Sequence, residues 1–341
     1  MSAALLLAAL MAAPPADTLV VGTLADPASI EPHQATDIVA AEIVANVCET
    51  LVRVRPGSLR PEGVLATTWA SPDQRVWTFT LREGVTFHDG ARLDADAVVG
   101  NLEHLRRERA FPGRAERVGP QVVQVTLDRP NAALLSTLSQ PFFALQSPRR
   151  LRGPGSETPV GTGAFRLAGA RPGRVELTAF AEHWAGAPRL RRVEFRRFPD
   201  EGALARALAS GEADVSSAIG PGSAAALRAD PAVTLDSRTG LNLIYLALNN
   251  ERAPFDDSRV RRALSRAIDR AALVREVLGG HAETAHTALP PTLFGHDTRS
   301  RELVLERDAA RRLLAAASVP EGVEMTLTVS RAPRPYLLDP L

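Results

Sequence analysis

The sequence is poor in several residue types, and each shortage narrows what the protein can be. It has one cysteine, Cys48, and no lysine among its 40 basic residues. A single cysteine excludes a disulfide framework and any zinc or iron–sulfur site built from several cysteines. Because 39 acidic residues balance the basic ones, the net charge is only +1. Such a balance offers no strong field for nucleic acid, and we expect no nucleic-acid partner.

Long apolar runs are also missing. No stretch of about 18 apolar residues occurs, so the sequence predicts no transmembrane helix. A shorter apolar stretch covers residues 3–13 and is followed by Pro14-Pro15-Ala16-Asp17. It resembles the apolar region of a signal peptide cleaved after Ala16, although the basic residues that normally precede that region are missing. We therefore predict a signal peptide over residues 1–16 and export to the periplasm.

Apolar periodicity predicts a mixed α/β protein of about two domains. Alternation predicts strands at 76–81, 121–127 and 323–329. Further strands are predicted at 165–167, 175–177 and 193–195, and buried strands at the apolar segments 18–22 and 243–248. Helical spacing predicts helices at about 37–52, 94–105, 201–210, 260–278 and 308–317. A connector rich in Pro, Gly and Ser is predicted over residues 147–163.

Three patterns are compatible with a catalytic or nucleotide-binding role, and each has a simpler structural explanation. Cys48 lies in an apolar helical run, which favours a small buried side chain over a nucleophile. Gly161-Thr162-Gly163 lacks the Lys-Ser/Thr of a phosphate-binding loop, so we predict a tight turn. His88-Asp89 has no Gly-x-Ser-x-Gly partner segment, so a turn is favoured over a hydrolase triad.

The remaining conspicuous residues are interpreted in the same way. His281, His286 and His296 lack the spacing of a metal site and are predicted to lie on the surface. The three tryptophans are predicted to pack against apolar neighbours; they are Trp69, Trp77 and Trp184. We therefore expect no catalytic residue, no metal and no cofactor.

A set of longer strings resembles one protein family. These strings are 65–69 (LATTW), 76–90 (VWTFTLREGVTFHDG), 94–99 (DADAVV), 159–165 (PVGTGAF), 184–188 (WAGAP) and 209–214 (ASGEAD). In this order they resemble the peptide/nickel group, family 5, of solute-binding proteins of ABC transporters. Two further strings resemble its dipeptide-binding branch, namely 241–249 (LNLIYLALN) and 254–264 (PFDDSRVRRAL). The resemblance runs from about residue 18 to the last residue.

The resemblance implies a two-lobe periplasmic binding protein-like fold of type II, with mixed α+β content. Residues 17–44 and 160–240 would form lobe one, and residues 45–159 an extra subdomain of that lobe. Residues 241–341 would form the start of lobe two. Family members usually continue well beyond this length, so the resemblance predicts a C-terminally truncated chain with an incomplete second lobe. The lobes of such proteins close over a ligand about a hinge.

The resemblance also implies a site for a short peptide. In the dipeptide-binding branch an Arg followed by Pro-Tyr contacts the peptide carboxylate, and Arg334-Pro335-Tyr336 matches that segment. Arg334 is expected to bind the carboxylate with its planar fork of donors, and Tyr336 to form a wall of the site. The acid that binds the peptide amine in that branch would lie beyond residue 341. Further candidates by analogy are Thr36, Asp37, Asn242 and Tyr245.

The implied function is transport without catalysis. We expect a monomeric periplasmic component of an ABC importer, which binds di- and oligopeptides and delivers them to the membrane permease subunits. Nickel, haem and sugars are ligands elsewhere in the family and remain alternatives. A truncated, non-functional fragment is another alternative. A two-domain hydrolase is a third, and it would need a nucleophile or metal cluster that the sequence does not display.

Overall fold

A computed structural model describes residues 17–55, 60–108, 110–152, 158–238, 240, 242–290, 293, 296–297, 299, 304–320 and 322–328. The chain divides into two compact units, residues 1–217 and 218–341, called the first and second unit below. The lobe and subdomain boundaries given above remain predictions. The predicted signal peptide lies outside the described residues. Within them, no helix is both long and apolar enough to cross a membrane.

All strands in the described part of the chain belong to the first unit. They are β1 (Thr18–Thr23), β2 (Val52–Val54), β3 (Pro61–Gly63), β4 (Ala66–Ala70), β5 (Val76–Leu81), β6 (Gly113–Gly119), β7 (Val122–Leu127), β8 (Phe165–Arg171), β9 (Arg174–Ala179) and β10 (Arg192–Arg197). One sheet has the order β1-β10-β9-β8, and only its β1–β10 pair is parallel. A second sheet, β4-β5-β7-β6, is antiparallel throughout, and β2 and β3 form an antiparallel pair.

Helices occur in both units. The first unit contains α1 (Ile38–Val47), α2 (Ala95–Arg107), α3 (Leu134–Leu138), α4 (Pro148–Arg152) and α5 (Glu201–Ser210), with 3₁₀ turns at Pro32–Gln34 and Pro141–Phe143. The second unit contains α6 (Pro221–Ala229), α7 (Ser258–Ala267), α8 (Arg270–Ala272), a π-helical turn at Leu273–Val277, and α9 (Arg307–Ala316).

Aspartate caps begin three of the longer helices of the first unit. Asp37, Asp94 and Asp200 each accept a hydrogen bond from the backbone N–H three residues later, at 2.7–2.8 Å. Helix α5 ends at Gly211, whose φ of 76° suits a residue without a side chain. The predicted helices at 94–105 and 201–210 are confirmed. The helix predicted to reach residue 52 ends at Val47, because the chain becomes extended at Cys48 and enters β2.

The first unit has two apolar cores. One lies between the antiparallel sheet and α2, and its largest fully buried side chains include Phe79, Phe87 and Leu102. The other lies between the β1-β10-β9-β8 sheet and α1, where Ile43 and Val44 are buried. The predicted alternation of β5 is confirmed, since every second side chain is buried. Trp77 is buried and the other two tryptophans pack partly buried against the same core, as predicted.

A largely buried carboxylate, that of Glu49, lies where the two cores meet. Glu49 accepts hydrogen bonds from the Thr162 hydroxyl at 2.7 Å and from the Trp184 indole N–H at 2.9 Å. The adjacent Gly163 N–H donates to the Val47 carbonyl at the end of α1, at 3.0 Å. These donors compensate the burial of a charged group. The tight turn predicted at residues 161–163 is confirmed, and it leads into β8 rather than into a helix.

Two predicted strands of the second unit are wrong. Residues 243–248 and 323–328 have no regular structure, and several of their apolar side chains are exposed, including Tyr245 at 75% and Leu327 at 69%. An apolar segment is stable as a strand only when its backbone groups are paired and its apolar side chains are covered. The described residues of this unit contain no strand that could pair with either segment.

The single helix predicted over residues 260–278 is also wrong. It is interrupted after Ala267, because Ile268 has an extended backbone with φ −83° and ψ 120°. Asp269 then begins a new turn by accepting a hydrogen bond from the Ala272 N–H at 2.9 Å. A side chain that bonds to nearby backbone competes with continuation of the helix. The helix predicted at 308–317 is confirmed with an offset of one residue.

Candidate ligand-binding site

The loop between β1 and α1, residues 24–37, lies at an edge where three parallel segments end. Strand β1 pairs in parallel with β10 on one side, and on the other side Val21 forms a parallel bridge with Val215. The carboxyl ends of these segments therefore meet at one edge of the sheet. In open α/β sheets, ligands bind in crevices at this edge.

Two serines that follow Val215 fix the end of its segment to the same edge of the sheet. The Ser216 hydroxyl donates to the Gly22 carbonyl at 2.8 Å, and the Ser217 hydroxyl donates to the Glu42 carboxylate of α1 at 2.6 Å. The chain then leaves the first unit after Ser217. The loop, the first turns of α1 and the exit of the chain are thus held together in the first unit.

Two of the predicted site residues lie in this loop and have different roles. The Thr36 side chain is exposed and forms no hydrogen bond with any residue that the structure describes. Asp37 uses both carboxylate oxygens internally, since one accepts from the Ala40 N–H at 2.8 Å and the other from the Ala28 N–H at 2.9 Å. Asp37 therefore fixes the loop onto α1, and Thr36 presents a hydroxyl beside the beginning of the helix.

Replacing Asp37 with alanine is expected to lower the free energy of unfolding by about 1–2 kcal/mol, because the helix loses its cap and the loop loses its link to Ala28. Asp37→Asn keeps an oxygen acceptor, so we expect a loss of less than about 0.5 kcal/mol. Urea denaturation of both variants measures the difference. Equal losses for the two variants would show that the charge, rather than the acceptor, is what stabilises the loop.

A largely buried ion pair between Glu31 of the loop and Arg150 of α4 stabilises the loop. Arg150 Nη2 lies 2.9 Å from a carboxylate oxygen of Glu31, and the Gln146 amide donates to the other oxygen. The backbone N–H of Gln146 in turn donates to Asn101 of α2 at 2.9 Å. Through these contacts the loop is connected to the core around α2. Removing only one partner of such an ion pair strongly destabilises the folded protein, because the other charge is left buried without a counter-ion.

The imidazole of His33 lies in the same loop, with its ring centroid 5.3 Å from that of His104 in α2. Burial, together with the nearby His104, lowers the pKa of His33 to about 4. The backbone of Ala144 opposes this shift, although neither ring nitrogen of His33 has a partner in good hydrogen-bond geometry. His33 is therefore neutral at pH 7, and a proton added to it would disturb the loop.

Three residues that could suggest a hydrolase triad are close together but wrongly arranged. The Ser147 hydroxyl donates directly to Asp89 at 2.5 Å, so no imidazole stands between them. His88 Nε2 lies 2.9 Å from the Gly163 carbonyl, which can only accept. The imidazole therefore uses its Nε2–H on the backbone and not on a nucleophile. A serine nucleophile needs a base within hydrogen-bond reach, and these residues do not provide that relay.

The other chemical candidates are structural as well. Cys48 is buried, and burial raises the pKa of its thiol, with Glu31 and Glu49 acting in the same direction. The predicted buried side chain is therefore confirmed. His281 is exposed as predicted, whereas the other two histidines of its region are half-buried. Within the described residues, no group of three or more His, Cys, Asp or Glu side chains is arranged to hold a metal ion.

The remaining predicted site residues belong to the second unit or lie outside the described residues. Asn242 and Tyr245 are exposed on the irregular segment of the second unit. Arg334 and Tyr336 lie outside the described residues. Among the predicted site residues that the structure describes, Thr36 and Asp37 share the loop of the first unit.

Sequence reasoning missed the residues that support the loop, namely Glu31, Gln146 and Arg150. Glu31 and Arg150 are 119 positions apart, and no local pattern connects them. The one available signal is Gln146 itself, a polar residue that directly follows a run of apolar residues at 141–145. A polar side chain in such a run is expected to need a buried partner.

Comparison with known proteins agrees with this architecture. The family described as bacterial extracellular solute-binding proteins, family 5 Middle, matches residues 60–338. The glutathione-binding protein GsiB of Salmonella paratyphi A (strain ATCC 9150 / SARB42) is 31% identical over 314 residues, which cover 88% of this chain and 61% of GsiB. The chain thus spans about three fifths of the length of this relative.

Solved structures show the same fold. The ABC transporter-associated periplasmic binding protein DppA from Helicobacter pylori, in complex with the peptide STSA, matches with a TM-score of 0.78 and 25% identity, over 89% of this chain and 67% of DppA. NikA from Brucella suis, in complex with Fe(III)-EDTA, matches with a TM-score of 0.74 and 26% identity, over 88% of this chain and 64% of NikA. The predicted mixed α/β, periplasmic binding protein-like fold is confirmed.

The family match covers most of the chain, and the matched structures share its architecture. The chain therefore belongs to family 5 of the bacterial extracellular solute-binding proteins.

Proposed function

We propose that this chain is the solute-binding component of an ABC importer, that it is exported to the periplasm, and that it binds short peptides there and delivers them to the permease subunits. The observation that carries the proposal is the family match over residues 60–338. Peptide specificity is supported by the names of two matched proteins, of which one is a glutathione-binding protein and the other was solved with the peptide STSA. The proposed role includes no chemical reaction.

The chemistry of a peptide sets the roles of the candidate residues. A zwitterionic peptide needs a cation for its carboxylate, and a guanidinium binds a carboxylate through two parallel hydrogen bonds. We assign this role to Arg334, with Tyr336 as an apolar wall. Thr36 and Asn242 would each supply a neutral hydrogen bond to the peptide backbone, and Tyr245 would contact the peptide. Asp37 would act by holding Thr36 in place, since both of its oxygens already have backbone partners.

The proposal is tested by isothermal titration of the 341-residue chain with alanyl-alanine and with glutathione. We expect binding of at least one of these peptides. The Arg334→Ala substitution should weaken peptide binding by about 10- to 150-fold, which corresponds to the loss of one hydrogen bond to a charged group. Arg331→Ala removes an arginine from the same segment and serves as the matched control, with affinity unchanged. Peptide recovered afterwards should be intact by mass spectrometry.

Four other outcomes would contradict parts of the proposal. Binding of nickel chloride or haemin without binding of either peptide would overturn the peptide class. A cooperative thermal transition with no binding of any of these ligands would contradict the binding function and favour the non-functional fragment. Cleaved peptide would favour the hydrolase alternative. Equal losses in the two arginine variants would remove Arg334 from its assigned role.

A further inference from the structure

Helices α7 and α9 of the second unit form an antiparallel pair. At one end, the Arg259 guanidinium donates to the Ala316 carbonyl at 2.6 Å. At the other end, Arg266 lies 2.7 Å from the Glu306 carboxylate. The end of α7 therefore meets the beginning of α9, and the beginning of α7 meets the end of α9. Small or β-branched side chains are buried on the two helices and allow a close approach: Val260, Ala263 and Ala310.

A shallow depression of about 300 Å³, largely open to solvent and called the cavity below, lies beside this contact. Its lining comprises Arg262 and Arg266 from α7, with Ala309, Arg312 and Leu313 from α9. Helical spacing explains the set, because positions three and four apart lie on one face of a helix. Two apolar residues and three arginines therefore line one open depression.

The charges around the cavity are unbalanced. Arg266 has a counter-ion in Glu306, but Arg262 and Arg312 form no hydrogen bond or ion pair with any residue in the described part of the chain. Other arginines of the same helices are satisfied, since Arg259 pairs with Asp257 at 2.5 Å and Arg311 with Asp308 at 3.0 Å. Two unpaired guanidinium groups in one concavity repel each other, and an anion between them removes that repulsion.

We propose that this cavity binds an oxyanion of the carboxylate or phosphate class. Arg262 and Arg312 would each bind it through their planar forks, a geometry that suits both groups. Ala309 and Leu313 would contact an apolar portion of the same ligand. The site belongs to the second unit alone and does not depend on the peptide-binding proposal. The anion is either free in solution or part of an acidic peptide, and the chemistry of recognition is the same for both.

The test is titration of the full chain with inorganic phosphate, with citrate and with hexaglutamate, each at low ionic strength. We expect at least one probe to bind, and the double variant Arg262→Gln/Arg312→Gln to weaken that binding by at least about tenfold. Both side chains are exposed, so the variant should fold, and its thermal transition checks this. Tighter binding of phosphate or citrate indicates a free anion, and tighter binding of hexaglutamate indicates an acidic peptide.

Arg228→Gln is the matched control, because Arg228 is an exposed arginine near the end of α6 in the same unit and does not line the cavity. The affinity of the Arg228→Gln variant for the probes should equal that of the unaltered chain. Equal weakening in the control and the double variant would overturn the proposal, since it would indicate general attraction to a basic surface. Absence of binding of all three probes, or binding that the double variant leaves unchanged, would overturn it as well.

Discussion

Gly161→Val is expected to destabilise the first unit by about 3 kcal/mol or more, at the upper end of the cost of overpacking a core. A β-carbon at this position would lie 2.2 Å from the Val47 carbonyl oxygen and 2.5 Å from the Cys48 α-carbon. Both atoms are backbone, so no rotamer change can relieve the overlap. Either the turn at 161–163 or the end of α1 has to move, and α1 is the helix on which the candidate ligand loop is fixed.

The matched control for this substitution is Gly169→Val. Gly169 lies on β8, and a β-carbon there would meet nothing within 4 Å. We expect the free energy of unfolding of this variant to change by no more than about 0.5 kcal/mol. Urea denaturation followed by tryptophan fluorescence compares the two, because Trp184 bonds to Glu49 next to the same turn. Equal stability of the two variants would contradict the close packing of the turn against α1.

Acidification is expected to destabilise the fold through two buried histidines. His88 resembles His33, since burial lowers its pKa to about 4, with Arg166 and His183 acting in the same direction and the Gly163 carbonyl opposing. Both pKa values lie below the unfolded value of about 6.5, so between these limits the unfolded chain binds more protons than the folded chain. Stability is therefore complete above about pH 6.5 and falls towards pH 4, by about 2 kcal/mol per histidine at pH 5.

The pH dependence is measured by urea denaturation of His33→Gln and His88→Gln between pH 7.5 and 5. Each variant should lose about 2 kcal/mol less stability over this range than the unaltered chain, whatever its stability at pH 7.5. The difference between variants isolates the histidines from the carboxylates, which titrate in the same experiment. His281→Gln removes an exposed histidine and should follow the unaltered chain. Parallel curves for all four proteins would rule out a role for the two buried rings.

A strand predicted from the sequence was found in the structure where its pairing strands belong to the same unit. The strand at 76–81 was predictable because its own alternation matches burial of every second side chain between a sheet and α2. Its partners β4 and β7 belong to the same unit and are formed. The segment at 243–248 is continuously apolar, which predicts a buried strand, and yet it has no regular structure, because nothing in the described part of its unit pairs with it. A strand-like sequence forms a strand only when a neighbouring strand is present to pair with it.

The candidate site shows the same division. The capping role of Asp37 follows from a carboxylate directly before an apolar helical run, which is a local signal. The ion pair of Glu31 with Arg150 joins residues 119 positions apart. The bonds of Glu49 to Thr162 and Trp184 span more than a hundred positions as well. Neither carboxylate looks different from a solvent-exposed one in the sequence, because burial is a property of what folds over it.

By itself, the sequence determined the family, the class of fold, and the helices and strands whose caps and periodicity lie within one segment. The tertiary structure alone decided which edge of the sheet holds the exposed Thr36, which carboxylates are buried with partners, and which arginines of the second unit are left without one. The physical reason is the range of the interactions. Caps and alternation act over a few residues, whereas burial and charge pairing depend on groups that only the folded chain brings together.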